Sequence, residues 1–162
     1  LYAVGLPRAA GVAQLLVVLA AVLIIQPVLA TVMGRSPRLT TATVAVIAGL
    51  LWMLTLCAGD AISAAVGAYP RTITLILLPA FLGAGLLQLV TGVLHHLLPI
   101  LTGARPDTTE RTGYARLLLI NLGGLLTLLG ATVAGLIMMG IGLAANVIAV
   151  GRAIYLKKRL ES

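Results

Sequence analysis

The only two histidines of the chain, His95 and His96, stand side by side in an uncharged run, 72–104. Imidazole is the side chain best suited to ligate haem iron or copper at membrane depth. Gln88, Thr91, Gly92, His95 and Pro99 recur every three to four residues, the spacing of one helical face, and Gly85 extends that face. Small residues there admit a second helix or a flat ligand such as haem or quinone. His95, His96 and Gln88 are therefore the cofactor-binding candidates. Adjacent residues on a helix point about 100° apart, so the two imidazoles do not share one small metal site. A bis-histidine haem between two helices of this chain is excluded. A second axial ligand would come from Met33, Met53, Met138 or Met139, another subunit or a second copy. The plainer reading is that both histidines are hydrogen-bonded packing or interfacial residues.

The remaining polar side chains in apolar runs are Gln14, Gln26, Asn121 and Asn146. Asn121 and Asn146 read as stitches between helices. Gly123, Gly124, Gly130, Gly135, Gly140 and Gly142 read as a close-packing surface, with Met138 and Met139 as lipid or packing residues. Cys57, the single cysteine, reads as a small apolar filler, and Asp60 as a contact or a helix end. There is no phosphate loop with a lysine, no activated nucleophile, no acid–base pair and no complete metal set, hence no catalytic signature.

These residues are carried by elements that the composition dictates. The chain has 162 residues, 60% hydrophobic and 9% charged, against about 25% charged in soluble domains. This is the composition of an integral membrane protein, multi-pass in the cell membrane. Charges bound four uncharged runs, 9–34, 39–59, 72–104 and 117–151. A spanning helix needs about 20 residues. The last run would measure about 52 Å as one helix, so it reads as two joined near Gly130 to Gly135. Pro79 and Pro99 account for the length of the third, read as one helix with irregular ends.

The expected fold is all-α, a single membrane domain of five spans (about 11–33, 41–59, 76–101, 112–131 and 134–156) with a basic tail, 157–162. Five spans place Arg35, Arg38, Arg105, Arg111, Arg116, Arg152, Lys157, Lys158 and Arg159 on one face, and only Arg8 and Arg71 on the other. Basic residues collect on the cytoplasmic side, so the amino terminus is outside and the carboxyl terminus inside. The net charge of +7 is thereby explained without nucleic acid. Tyr2, Tyr69, Tyr114 and Tyr155 fall at expected helix ends. Asp107 and Glu110 resemble a capping pair for the fourth helix, with Arg111 and Arg116 snorkelling outward. Arg152, Lys157, Lys158 and Arg159 are expected at lipid headgroups.

The stretch 81–126, with FLGAGLLQLVTGVLHHLLPILTGARP followed by YARLLLINLGGLL, resembles one segment of a known membrane domain. It is similar to the haem-copper-oxidase-like domain that precedes the cupredoxin portion of some actinobacterial multicopper oxidases and copper nitrite reductases. The matching positions are Gly92, Leu94, Leu97, Pro99, Gly103, Pro106, Asn121 and Gly123, while His95 and His96 stand where the family pattern has Ser-Tyr. The resemblance implies the membrane part of a respiratory or copper redox system, without the copper ligands, which that family carries in its cupredoxin portion.

The expected function is a non-catalytic membrane subunit or domain of a larger electron-transfer complex, partnered by lipid and by other subunits or copies of itself. The alternative is a small oligomeric transporter or channel, lined by Gln14, Gln26, Gln88 and the histidines.

Overall fold

The computed structural model describes residues 7–35, 40–67, 70–103 and 110–161. They form α1 (Pro7–Arg35), α2 (Thr41–Ala65), α3 (Pro70–Ala80), a π-helical segment (Phe81–Leu87), α4 (Gln88–Thr102), α5 (Glu110–Leu128) and α6 (Thr132–Glu161). The α3, π and α4 segments follow without a break, so five rods result and no strand appears among the described residues. Four of the rods are long and apolar enough to cross a membrane, and 112–128 in α5 is a shorter apolar helix. Tyr2, Arg38, Tyr69, Arg105, Pro106 and the Asp107 cap lie outside the described residues.

Local chemistry sets the helix ends. Thr40 caps α2, its hydroxyl accepting from Thr43 N at 3.2 Å. The helix then runs past Asp60, not ending there as expected, because Ala61, Ala64 and Ala65 favour helix and the stop is Gly67 at φ +80°. The long glycine-rich run is two helices. Gly130 at φ +89° allows Ala131 N to reach Leu126 O and Gly130 N to reach Thr127 O, a Schellman turn. At the far end α6 continues through the basic residues to Glu161, so Lys157, Lys158 and Arg159 ride on a helix instead of forming a tail.

Neighbouring rods alternate in direction. Gly11 of α1 lies against Ala61–Ala65 of α2, and Gly92 of α4 against Ala45 and Val46 of α2. Gly123 of α5 meets Gly135 and Met139 of α6, while Thr41 and Gly113 bring the starts of α2 and α5 together. One end of the bundle therefore holds the starts of α2 and α5 and the ends of α4 and α6, where Lys157 Nζ donates to the Thr102 carbonyl.

The third rod is central. Gly83 meets Met139 of α6, Ala84 meets Gly124 of α5 and Gly85 meets Met53 of α2. Three consecutive residues are buried against three different helices, and all three are small enough to let backbones approach. The irregularity of this rod lies in its middle, two residues after Pro79, and not at its ends. Proline offers no N–H for the ladder, and the wider π turn follows it. Gly140, by contrast, has nothing within 4 Å of an added Cβ, so it is no part of the packing surface. In contrast to the central rod, α1 packs chiefly on α2.

Candidate functional site

Two polar groupings sit on the inward face of α4. The first is centred on Gln88, which is fully buried. Its Nε2 donates to Ala45 O of α2 at 3.5 Å, and its Oε1 accepts from Asn121 Nδ2 of α5 at 3.3 Å. Asn121 Nδ2 also donates to Leu117 O at 2.7 Å, and its Oδ1 accepts from Trp52 Nε1 of α2 at 2.6 Å. Three rods are thus joined through one amide pair. Trp52, the single tryptophan, was the member that sequence reading missed. An indole N–H buried among apolar neighbours requires an acceptor, which was the available signal.

The second grouping lies nearer the basic end. His95 Nδ1 is 2.8 Å from the Thr91 carbonyl, which can only accept, so the proton is on Nδ1. His95 Nε2 is buried without a hydrogen-bond partner, and so is Arg116 Nε. Both residues line one cavity with Thr41, Ala42, Gly113 and Asn146. Arg116 is half-buried, and its Nε is enclosed at this cavity. Gly113 and Gly142 let α2 and α6 close around α5 on either side of it.

The cavity measures about 10 Å³, room for about one water. A porphyrin or a quinone ring does not fit at His95 Nε2. His96 is exposed and faces away from His95, as their roughly 100° offset requires. It is the imidazole reachable from outside the bundle. No group of three His, Cys, Asp or Glu side chains gathers among the described residues.

The other candidates are placed as follows. Gly85, Gly92, Gly123 and Gly124 all lie at helix crossings, where an added Cβ would come within 3 Å of a neighbouring helix. Asn146 is 7% exposed and lines the His95–Arg116 cavity, where α6 faces α2, α4 and α5. Arg152, Lys158 and Arg159 are exposed, whereas the Lys157 ammonium caps the carboxyl end of α4. Gln14 Nε2 donates to Asp60 Oδ2 at 3.3 Å and to Cys57 O at 3.4 Å, at the edge of a cavity of about 190 Å³ that Phe81, Leu77 and Leu56 also line. No protein-family model, curated protein or solved structure matches the chain.

Proposed function

We propose that the chain is a non-catalytic integral membrane subunit or domain of a larger assembly, with five spans, the amino terminus outside and the basic end in the cytoplasm. The observation that carries this reading is the use made of the deep polar groups. Gln88, Asn121 and Trp52 satisfy one another across three rods, which leaves them neither free for chemistry nor strung along a pathway. A second feature supports a partner. Gln26 is exposed on α1, and an amide facing hydrocarbon gains by bonding to a neighbouring helix. The alternating rods support an odd number of crossings, with Arg152, Lys157, Lys158 and Arg159 on the cytoplasmic side. α5 spans about 28 Å, close to the hydrocarbon thickness of about 30 Å.

Association with a respiratory or copper redox system rests on the resemblance over 81–126. In that setting exposed His96 is the residue to which a group held by a neighbour would bind. The runner-up, a small oligomeric transporter, is favoured by Asp60 beside the Gln14 cavity, since a carboxylate within a span often marks an ion path.

Purification in mild detergent tests the reading. Stable recovery with larger membrane subunits is expected, together with a Soret band lost in His96→Ala if the partner brings haem. A lone homo-oligomer that conducts ions in liposomes would establish the transporter instead. Reporter tags on both termini should lie on opposite sides of the membrane; finding them on one side rejects five spans.

A further inference from the structure

A cavity of about 190 Å³ lies between α1, α2 and the third rod, away from both polar groupings of α4. Its wall has two parts. Leu56, Leu77, Leu78 and Phe81 supply an apolar lining, and Asp60 with Gln14 supplies a polar edge. Asp60 is the one charged side chain on that wall among the described residues. A carboxylate inside a span is costly to keep there and as a rule marks a site of function. Its position is fixed, since Gln14 Nε2 donates to Asp60 Oδ2 at 3.3 Å and to the Cys57 carbonyl at 3.4 Å. Phe81 opens the π segment, and π turns recur at functional sites.

The two parts lie at different depths. Asp60 precedes the end of α2 by about 8 Å along the helix axis. Leu56 is about 14 Å from that end, and Phe81 about 16 Å from the start of α3 at the same end of the bundle. An occupant therefore meets the carboxylate on the shallow side, with leucine and phenylalanine farther in. That gradient suits an amphiphile with a cationic head. A bare metal ion is a poor match, because hard cations take about six or more oxygen ligands, and the lining is otherwise mostly apolar. A wholly apolar guest would press hydrocarbon against the carboxylate, whereas an ammonium meets it with charge and hydrogen bonds. A carboxylate has about four acceptor sites, so the bond from Gln14 and an ion pair with a guest coexist. Size sets the body. An apolar protein cavity of about 150 Å³ holds one benzene, so this one takes a single ring with a short amine arm.

We infer that this cavity binds a small organic cation, a primary ammonium on a ring-sized apolar body. The ammonium sits on Asp60 and the body lies among Leu56, Leu77 and Phe81. Leu78 lines the cavity while 42% exposed, so the mouth opens there at the surface of the bundle. The assignment holds whether the chain works alone or within an assembly, because every residue it uses belongs to this chain.

Benzylammonium is the probe and benzyl alcohol its uncharged counterpart. Each is titrated at neutral pH into the purified full chain in detergent, with thermal unfolding as the readout. Benzylammonium should raise Tm saturably. Benzyl alcohol should bind about tenfold more weakly or worse, the contribution of one hydrogen bond to a charged group. Asp60→Asn, which keeps an acceptor for Gln14, should weaken benzylammonium binding by about the same factor. Leu77→Trp, which fills much of the cavity, should abolish the rise, and Arg152→Gln should leave it intact. Equal affinity of the wild-type protein for amine and alcohol overturns the inference without any variant, as does the absence of a saturable rise. So does an unchanged benzylammonium titration in a folded Asp60→Asn protein, or a crystal structure in which a detergent or lipid chain holds the cavity in the presence of the amine.

Discussion

Replacing Asn121 by leucine removes the amide at which three rods meet while preserving side-chain bulk. Trp52 Nε1 loses the acceptor it has at 2.6 Å, and Gln88 Oε1 loses its donor at 3.3 Å. The bond to Leu117 O is within α5 and its loss leaves a carbonyl already served by the helix. Two inter-rod hydrogen bonds are therefore at stake. Measured values within membranes average about 0.6 kcal/mol each, setting a floor of about 1 kcal/mol. Leaving a fully buried group unpaired costs about 1–3 kcal/mol. Gln88 is 0% exposed and cannot turn to solvent, so the expected loss is about 2–3 kcal/mol. Trp52 is the only tryptophan, and its emission reports the site directly. In Asn121→Leu it should shift to the blue as the indole loses its acceptor, and reversible unfolding in mixed micelles should give the stability loss. A cycle with Trp52→Phe should show coupling of about 1 kcal/mol, the part owed to that one bond. An Asn121→Leu protein with unchanged emission and stability within about 0.5 kcal/mol of wild type would refute the hub, because an unaltered indole means the acceptor was never there.

Gly49→Ala should destabilise by about 1–3 kcal/mol in the same unfolding assay, since its Cβ would come within 2.9 Å of Gly85 O and Leu89 N, both backbone atoms. Gly59→Ala, with nothing within 4 Å, should instead be neutral or stabilise by up to about 1 kcal/mol through helix propensity; equal effects at the two positions would contradict the packing of α2 on the central rod. Gly130→Ala should cost about 1–2 kcal/mol through its left-handed backbone conformation alone, without altering Trp52 emission. Gln14→Leu should speed hydrogen exchange in α1 and leave α5 and α6 unchanged, because its bonds reach only Cys57 and Asp60 of α2; a uniform acceleration would mean that α1 belongs to the core.

The layout was legible where length and charge decide it. A glycine-rich run too long for one span had to turn, and Gly130 supplies the backbone angle that turns it. The helix ends were less legible because charge was taken as a boundary. Asp60 lies inside α2, where the alanines after it carry the helix on to Gly67 and Gln14 of the neighbouring rod meets its carboxylate, a contact 46 residues away in sequence. Lys157 remains helical where a tail was expected, held by a carbonyl 55 residues distant. The same limit governs the site. Periodicity put Gln88, Gly92 and His95 on one face, but nothing local to Trp52 or Arg116 names Asn121 or His95 as neighbours. Those pairings come from the third dimension, from glycines that bring α2, α5 and α6 close to the central rod.

That central position bears on where an assembly would form. Association of helices in lipid draws on close packing and hydrogen bonds, since lipid is as apolar as leucine. The rod of α3, the π segment and α4 already makes such contacts on three sides, through Gly83, Ala84 and Gly85. Its inward polar face is closed by Asn121 and Ala45, and a partner replacing them would first have to open the bundle. α1 is the opposite case. It is anchored on α2 near Gly11 and Gln14, and Val17, Leu23, Ile24 and Gln26 face away from the bundle. A partner helix laid along α1 would gain both packing and a bond to the Gln26 amide without disturbing any contact within the chain. In an assembly, then, α1 is the rod that would join a neighbour, while the central rod holds this chain together. Gln26→Leu should accordingly weaken co-purification of a partner while leaving the unfolding of α2 to α6 untouched.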